Sequence, residues 1–258
     1  MSTSDMIQRL GNATEPSEVC KLFKEIAATH NPEYLPALIT KIKSTAADPS
    51  FNSGWLESML GELGRLGSRD AVDFLIATLE WRMPGAVRGA VYALELLGDK
   101  RAEEPLLKAF STCLPFPDAP IVDFLGTDTK AFCEALLSLG SQAVTKVMIA
   151  NLDAVLSRQM PTSQQLHDST MTAEALAKCL GQTGDKSAVD ILLRTLGNWF
   201  PGTVHIKTVW SLKKLGVAGS LRETILQTFS KMLSSSPWAG DQKKREEELK
   251  TILWILDR

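Results

Sequence analysis

Leu180-Gly-Gln-Thr-Gly184-Asp-Lys-Ser-Ala-Val-Asp-Ile-Leu-Leu-Arg-Thr-Leu196 decides the fold, because the chain writes it more than once. Leu63-Gly-Arg-Leu-Gly67-Ser-Arg-Asp-Ala-Val-Asp-Phe-Leu-Ile-Ala-Thr-Leu79 and Leu94-Glu-Leu-Leu-Gly98-Asp-Lys-Arg-Ala-Glu-Glu-Pro-Leu-Leu-Lys-Ala-Phe110 follow the same plan. In each, one apolar run stops at a glycine and another opens a few residues later. Counted from the glycine, positions +4, +8, +9 and +12 read Ala71, Leu75, Ile76 and Leu79 in one copy. They read Ala102, Leu106, Leu107 and Phe110 in the next, and Ala188, Leu192, Leu193 and Leu196 in the third. Such a stripe, with a period of about 3.6 residues, marks one face of an amphipathic helix.

Weaker copies share the frame. Gly140 is followed by Val144, Met148, Ile149 and Leu152, and Gly216 by Leu221, Ile225, Leu226 and Phe229 after a turn one residue longer. A degenerate copy opens the chain, with Pro36 matching Pro105 and Thr29 standing where the glycine would be. The five glycines suit the left-handed residue that ends a helix, where a Cβ is costly. Asp99 and Asp185 then suit the turn or N-cap of the next helix, and Pro36 and Pro105 its start. A lone helical hairpin cannot bury its stripe, so the hairpins are expected to stack.

The expected fold is therefore all-α, an α-α superhelix forming one solenoid. Six hairpins are placed near 17–44, 54–82, 86–113, 129–157, 172–198 and 203–235. A final helix over 241–257 would have Asp241 as N-cap and Leu249, Ile252, Leu253 and Leu256 as its apolar face. It reads as a polar cover for the last repeat, with a partner-binding or dimer-forming helix as the alternative.

The intervals between glycines are 31, 42, 44 and 32 residues, so the longer two hold insertions. Leu114–Asp128 carries three prolines, three acids and several large apolar side chains, and Arg158–Asp168 is a polar stretch. Both read as loops between one repeat's second helix and the next repeat's first. They are either binding elements or drift with Phe116 and Ile121 tucked onto the core.

Composition narrows the function classes. The 258 residues hold 44% hydrophobic and 22% charged side chains, which excludes a disordered or fibrous chain. A net charge of −2, from 28 basic and 30 acidic residues, argues against a polyanion as partner, so no nucleic acid is expected. No apolar run is long enough for a membrane span, and the N-terminus has no signal-peptide pattern, so a cytoplasmic protein is expected. Cys20, Cys113, Cys133 and Cys179 are widely spaced and read as small buried hydrophobes, with neither disulfide nor zinc site.

Ala86-Val-Arg-Gly-Ala-Val-Tyr-Ala-Leu-Glu-Leu-Leu-Gly-Asp-Lys-Arg-Ala-Glu-Glu-Pro-Leu-Leu-Lys-Ala-Phe110 resembles a HEAT-like repeat of the phycobilisome-lyase type. The marks are a V-R-x-x-A/V-x-x-A-L stretch, then L-G-D, then A-x-x-P-L-L. They are strong in the third and fifth repeats and fade elsewhere between residues 20 and 235. The resemblance implies a helical solenoid, with Arg88 tying adjacent repeats together and the second helices lining a concave face. It spans scaffolds, assembly factors, chaperones and chromophore lyases, so function has to be argued from a site.

On that concave face, positions +3, +6, +10 and +13 would project outward. They give Asp70, Asp73, Ala77 and Glu80, then Arg101, Glu104 and Lys108, then Lys146 and Asp153, then Ser187, Asp190 and Arg194, and finally Arg222. The stripe is either a solvated face or a protein-binding ridge, and its mixed sign suits a protein more than a phosphate backbone. Trp81-Arg-Met-Pro84-Gly85 and Trp199-Phe-Pro201-Gly202 are equivalent turns before a first helix. Trp81 and Trp199 either anchor a partner or cap the core between repeats.

Catalytic signatures are missing. His30, His167 and His205 are not followed by Glu, so neither an H-E-x-x-H zinc helix nor the paired His-Glu motifs of HEAT-repeat di-iron hydroxylases occur. No phosphate-cradling loop or nucleophile elbow is present. His167-Asp168 has the types of a base and its orienter but lies in a polar stretch. The leading expectation is a non-catalytic scaffold or assembly factor binding another protein, without metal or cofactor, as a monomer or, alternatively, a dimer. Its candidate partner-binding residues are Asp70, Asp73, Trp81, Arg82, Arg101, Glu104, Lys108, Phe116, Asp118, Asp123, Lys146, Asp190, Arg194 and Trp199. The alternative, carried by the repeat type, is a bilin lyase subunit or bilin chaperone, for which Asp118, Asp123, Phe116, Trp81 and Arg82 would supply carboxylates, an apolar slot and a cation. Against it, the chain lacks the Asn-Tyr-Gly-Ala-Arg-like stretch associated with such lyases.

Overall fold

The computed structural model describes residues 2–48, 53–81, 83–112, 126–158, 163–200, 203–235 and 242–258, and these contain α-helices and short 3-10 turns but no strand. The chain divides into two compact units, one built on residues 1–113 and the other on 142–258, with the helix at 126–138 divided between them.

The first unit opens with α1 (Thr3–Asn12), which the repeat frame did not foresee. Its start is a capping box: Ser2 Oγ accepts from the Asp5 amide at 3.1 Å, and the Asp5 carboxylate accepts from the Ser2 amide at 3.1 Å. Three hairpins follow: α2 (Pro16–Ala27) with α3 (Leu35–Ala46), α4 (Ser53–Leu66) with α5 (Val72–Thr78), and α6 (Pro84–Leu97) with α7 (Glu103–Thr112). Helix α4 packs against both α2 and α6, so the first helices form one row.

The seam between α4 and α6 is made by small residues. A Cβ on Gly64 would lie 2.6 Å from the Ala93 Cα, and one on Gly89 would lie 2.8 Å from the Glu57 carbonyl oxygen. A Cβ on Gly85 would collide with the Ser53 backbone. The helices therefore touch backbone to backbone, and Arg88 Nη1 donates to the Glu57 carboxylate at 3.0 Å beside that seam. This is the tie between neighbouring repeats that the resemblance implied for Arg88.

In the second unit, α9 (Val144–Leu156), α10 (Ser163–Thr183), α11 (Val189–Leu196), α12 (Val204–Lys214), α13 (Arg222–Ser235) and α14 (Gln242–Leu256) follow α8 (Gly126–Ser138). Helices α10, α12 and α14 form a row of first helices, and α9, α11 and α13 a row of second helices. Here the expectation for 158–168 needs correcting. Residues 163–168 are not a loop: they are the opening turns of a 21-residue α10, with His167 exposed on it. The stretch holds no proline or glycine after Pro161, and Thr170 Oγ1 bonds back to the Leu166 carbonyl at 2.6 Å, so nothing breaks the helix.

The glycine frame is visible in the backbone. Gly67, Gly98, Gly140, Gly184 and Gly216 all have positive φ, between 59° and 81°. Beyond Gly98 the Asp99 side chain accepts from the Arg101 amide at 3.0 Å, a 3-10 turn runs to the buried Ala102, and α7 begins. Asp185, Ser187 and Ala188 repeat this after Gly184. Positions +4, +8 and +12 are nearly solvent-free in the clear copies, whereas Ile76, Leu107, Ile149 and Leu193 at +9 are only half-buried. Steps of four residues keep that ladder within about 40° of drift per step, and +9 falls outside it.

The opening copy is corrected by one residue. The left-handed position is His30, with φ of 51°, and not Thr29. Thr29 instead does what Thr183 does: its hydroxyl donates to a helix carbonyl and accepts from the amide two residues on. With His30 as origin, Tyr34, Leu38 and Ile42 occupy +4, +8 and +12, and all three are buried. A left-handed non-glycine residue costs roughly 1 kcal/mol. We expect His30→Gly to raise stability by somewhat less than that, because glycine also loses more backbone freedom on folding. The gain should appear as a melting temperature higher by about 2 °C; an unchanged or lower value would contradict the assignment.

Candidate functional site

The second helices carry the candidate ridge. Asp70 lies in the turn Arg69–Ala71, Asp73 on α5, Arg101 in the turn before α7, and Glu104 and Lys108 on α7; all are exposed. In the second unit Lys146 on α9 and Asp190 and Arg194 on α11 are exposed as well. The repeat frame thus puts each of these on the solvent side of its helix.

The structure adds how they pair. Arg101 Nη1 contacts Asp73 Oδ1 at 3.1 Å, while its Nη2 holds the Asp99 carboxylate at 3.0 Å and the Arg69 carbonyl at 3.1 Å. Lys108 Nζ lies 3.8 Å from Glu80, and Arg194 Nη1 lies 2.7 Å from Asp153. Glu80 and Asp153 share position +13, and Lys108 and Arg194 share position +10 of the following repeat. An acid on one second helix therefore meets a base on the next. This ladder was written in the spacing, but single-position reading does not look across repeats.

Arg101 beside Asp99 holds that carboxyl below its ordinary range, with the Arg101 backbone amide adding to the effect. Asp185 is lowered chiefly by the Ser187 amide. A depressed carboxylate stabilises the fold at pH above the ordinary aspartate value and loses that contribution as pH falls through the folded value. Thermal melts taken from neutral to acidic pH should therefore show a shallower decline for Asp99→Asn with Asp185→Asn than for the parent. An identical slope would mean that these caps do not contribute to acid sensitivity.

Trp81 follows α5, is half-buried, and stands edge-on to Phe74 with centroids 6.1 Å apart. Trp199 follows α11 and is half-buried too, while its neighbour Phe200 is buried. Arg82, Phe116, Asp118 and Asp123 lie outside the described residues, as does most of 114–128. Cys20, Cys133 and Cys179 are buried and unbridged, and burial raises the Cys20 thiol above its usual value. No described group of His, Cys, Asp and Glu has the makings of a metal site, and no described helix is long and apolar enough to cross a membrane.

His205 is buried on α12. Its Nε2 meets the Asn198 carbonyl at 2.8 Å, so that nitrogen carries a hydrogen. Its Nδ1 meets Glu248 Oε1 on α14 at 2.8 Å, and its ring packs on Phe229. The terminal helix buries Ile252 and Ile255, leaving Leu249, Leu253 and Leu256 half-exposed, so the expected apolar face is rotated toward Ile255.

Two further features escaped sequence reading. Tyr92, Leu96, Met171, Trp210 and Trp254 are large exposed apolar side chains, all on first helices or on α14. Trp210 and Trp254, 44 residues apart in sequence, meet edge to face at 6.1 Å.

With this architecture in view, residues 86–112, which span most of α6 and α7, match the family model of the PBS lyase HEAT-like repeat. This stretch is a HEAT-like repeat within an all-α protein of stacked helical hairpins. Among solved structures, the complex of CpcE and CpcF of phycocyanin lyase from a Nostoc species is 18% identical, covering 100% of this chain and 94% of that one, with a TM-score of 0.48. Human deoxyhypusine hydroxylase in complex with glycerol is 14% identical, with coverage of 98% and 95% and a TM-score of 0.40. No curated protein matches the sequence.

Proposed function

We propose that this protein is a non-catalytic interaction scaffold or assembly factor that binds a partner protein along the face of its second helices. The observation that supports it is the exposed, mixed-sign ladder in which Asp73, Arg101, Glu80 and Lys108, and separately Asp153 and Arg194, stand at fixed positions of the repeat. Exposed ion pairs of this kind add little stability, typically below about 1 kcal/mol, so fold stability is a weak reason for keeping so many. A stripe of alternating sign offers a protein partner both donors and acceptors in register, and such charges act mainly on association rate. Trp81 and Trp199 would contribute apolar contacts at the ends of α5 and α11.

Affinity capture from native lysate, followed by mass spectrometry, identifies the partner. Asp73→Lys with Glu104→Lys should then slow its association at least about tenfold at low salt, while losing the Asp73–Arg101 pair lowers the melting temperature by no more than about 4 °C. Unchanged association would remove the ridge from the interface. A second reading rests on the repeat type over 86–112: a bilin lyase subunit or bilin chaperone. A coloured eluate, or a bilin whose absorption changes on addition of pure protein, would replace the first reading with this one.

A further inference from the structure

Helices α12 and α14 run side by side in the same direction. His205 at the start of α12 meets Glu248 midway along α14, Trp210 meets Trp254 further on, and Lys213 Nζ donates to the Ile255 carbonyl at 2.6 Å near both ends. This register aligns two similar rows. On α12, Lys207, Trp210 and Lys214 follow at helical spacing; on α14 Lys250 and Trp254 do the same, and Arg258, two residues past the end of α14, places its guanidinium over the Trp254 ring. Each row is a cation, a tryptophan and a cation, and the two tryptophans touch.

The tryptophans stay in water despite that contact: Trp210 is 37% exposed and Trp254 47%. Lys213 Nζ stands 5.5 Å from the Trp210 ring centroid, and the Arg258 guanidinium 4.4 Å from that of Trp254. Over residues 191–222 the chain has Arg194, Lys207, Lys213, Lys214 and Arg222 and no acid at all. Of the acids near this region, Glu248 on α14 is committed to His205, and Asp257, just past α14, to Arg222 at 2.7 Å. Glu246 and Glu247, both exposed about one turn before Lys250, remain as counter-charges at that end.

From this juxtaposition we infer that the α12–α14 face is a docking surface for an acidic amphipathic helix of a partner protein. The apolar centre receives an apolar or aromatic side chain, and the flanking cations receive carboxylates. Lys207 to Lys214 spans about 10.5 Å along α12 at ~1.5 Å per residue. Carboxylates about seven residues apart on a helix, with Leu or Phe midway, match that span. The cations sit at two ends of an apolar patch instead of forming a continuous track, and Glu247 opposes a uniformly negative surface. Both features favour such a helix over nucleic acid or an anionic bilayer. The surface is separate from the second-helix ridge and does not depend on it.

The test is fluorescence anisotropy with a labelled synthetic helix carrying Glu and Phe at that spacing, titrated with the full chain. Trp254→Ala should weaken binding at least about tenfold. Lys214→Glu with Arg258→Glu, which keeps both rings, should weaken it comparably, and the peptide with Gln in place of Glu should bind at least about tenfold less tightly. Circular dichroism of each variant must match the parent for the comparison to count, and Trp254→Phe should recover part of the loss. Equal binding by the charge-reversed variant or by the Gln peptide overturns the proposal. So does tighter, patch-dependent binding of phosphatidylglycerol vesicles or single-stranded DNA, or self-association abolished by Trp254→Phe.

Discussion

Gly64→Val is expected to lower stability by about 3 kcal/mol. Even the first added carbon would sit 2.6 Å from the Ala93 Cα and 2.8 Å from its Cβ, inside any tolerable contact. The obstacle is the backbone and Cβ of a neighbouring helix, which have no rotamer to move into. Helices α4 and α6 must separate, and that separation loosens the buried Leu60, Leu63, Val91 and Leu94 packed around them. For a chain of this size the melting temperature should fall by roughly 6–12 °C. Gly67→Ala makes an informative companion, since a Cβ there meets nothing within 4 Å and only its φ of 81° opposes the change. It should cost about 1–2 kcal/mol. If the two variants melt alike, the close approach of α4 and α6 is not what Gly64 provides.

His205→Leu should cost about 3 kcal/mol, nearly all of it felt at the terminal helix. The substitution leaves the Glu248 carboxylate, itself only 18% exposed, and the Asn198 carbonyl without the ring that joins them. It also withdraws a ring from the face of Phe229. Hydrogen exchange should accelerate in α14 and at the start of α12 while α4 and α6 keep their protection. Uniform acceleration throughout the chain would mean that α14 does not open independently. Glu248→Gln, which keeps a hydrogen-bonding side chain of the same length, should recover part of the loss.

What could be read in advance was whatever a single helix or turn decides locally. Gly98 and Gly184 end a helix because no other residue type suits positive φ as well, and that shows in any one copy. His30 was harder, since histidine tolerates the left-handed region without advertising it. Burial of Tyr34, Leu38 and Ile42 would have located it had the frame been slid by one residue. The Ser2–Asp5 capping box is equally local, but α1 belongs to no repeat and the glycine frame does not reach it. The exposed positions of the candidate ridge followed from periodicity, but their pairing required knowing which helix lies beside which. The Trp210–Trp254 contact is of the same kind. Forty-four residues separate the rings, and only the parallel docking of α14 on α12 makes them neighbours.

The two seams also differ mechanically. Where α4 meets α6 the contact is main chain against main chain, with little side-chain cushion, so that joint is stiff. Where α14 meets α12 the contact runs through the two tryptophan rings, His205 and the Lys213 tether, and Arg222 of α13 adds a tether to Asp257 just past α14; all of these can bend before they break. A load applied at the C-terminus would therefore be taken up first by α14, which can peel away while the glycine-lined joint stays closed.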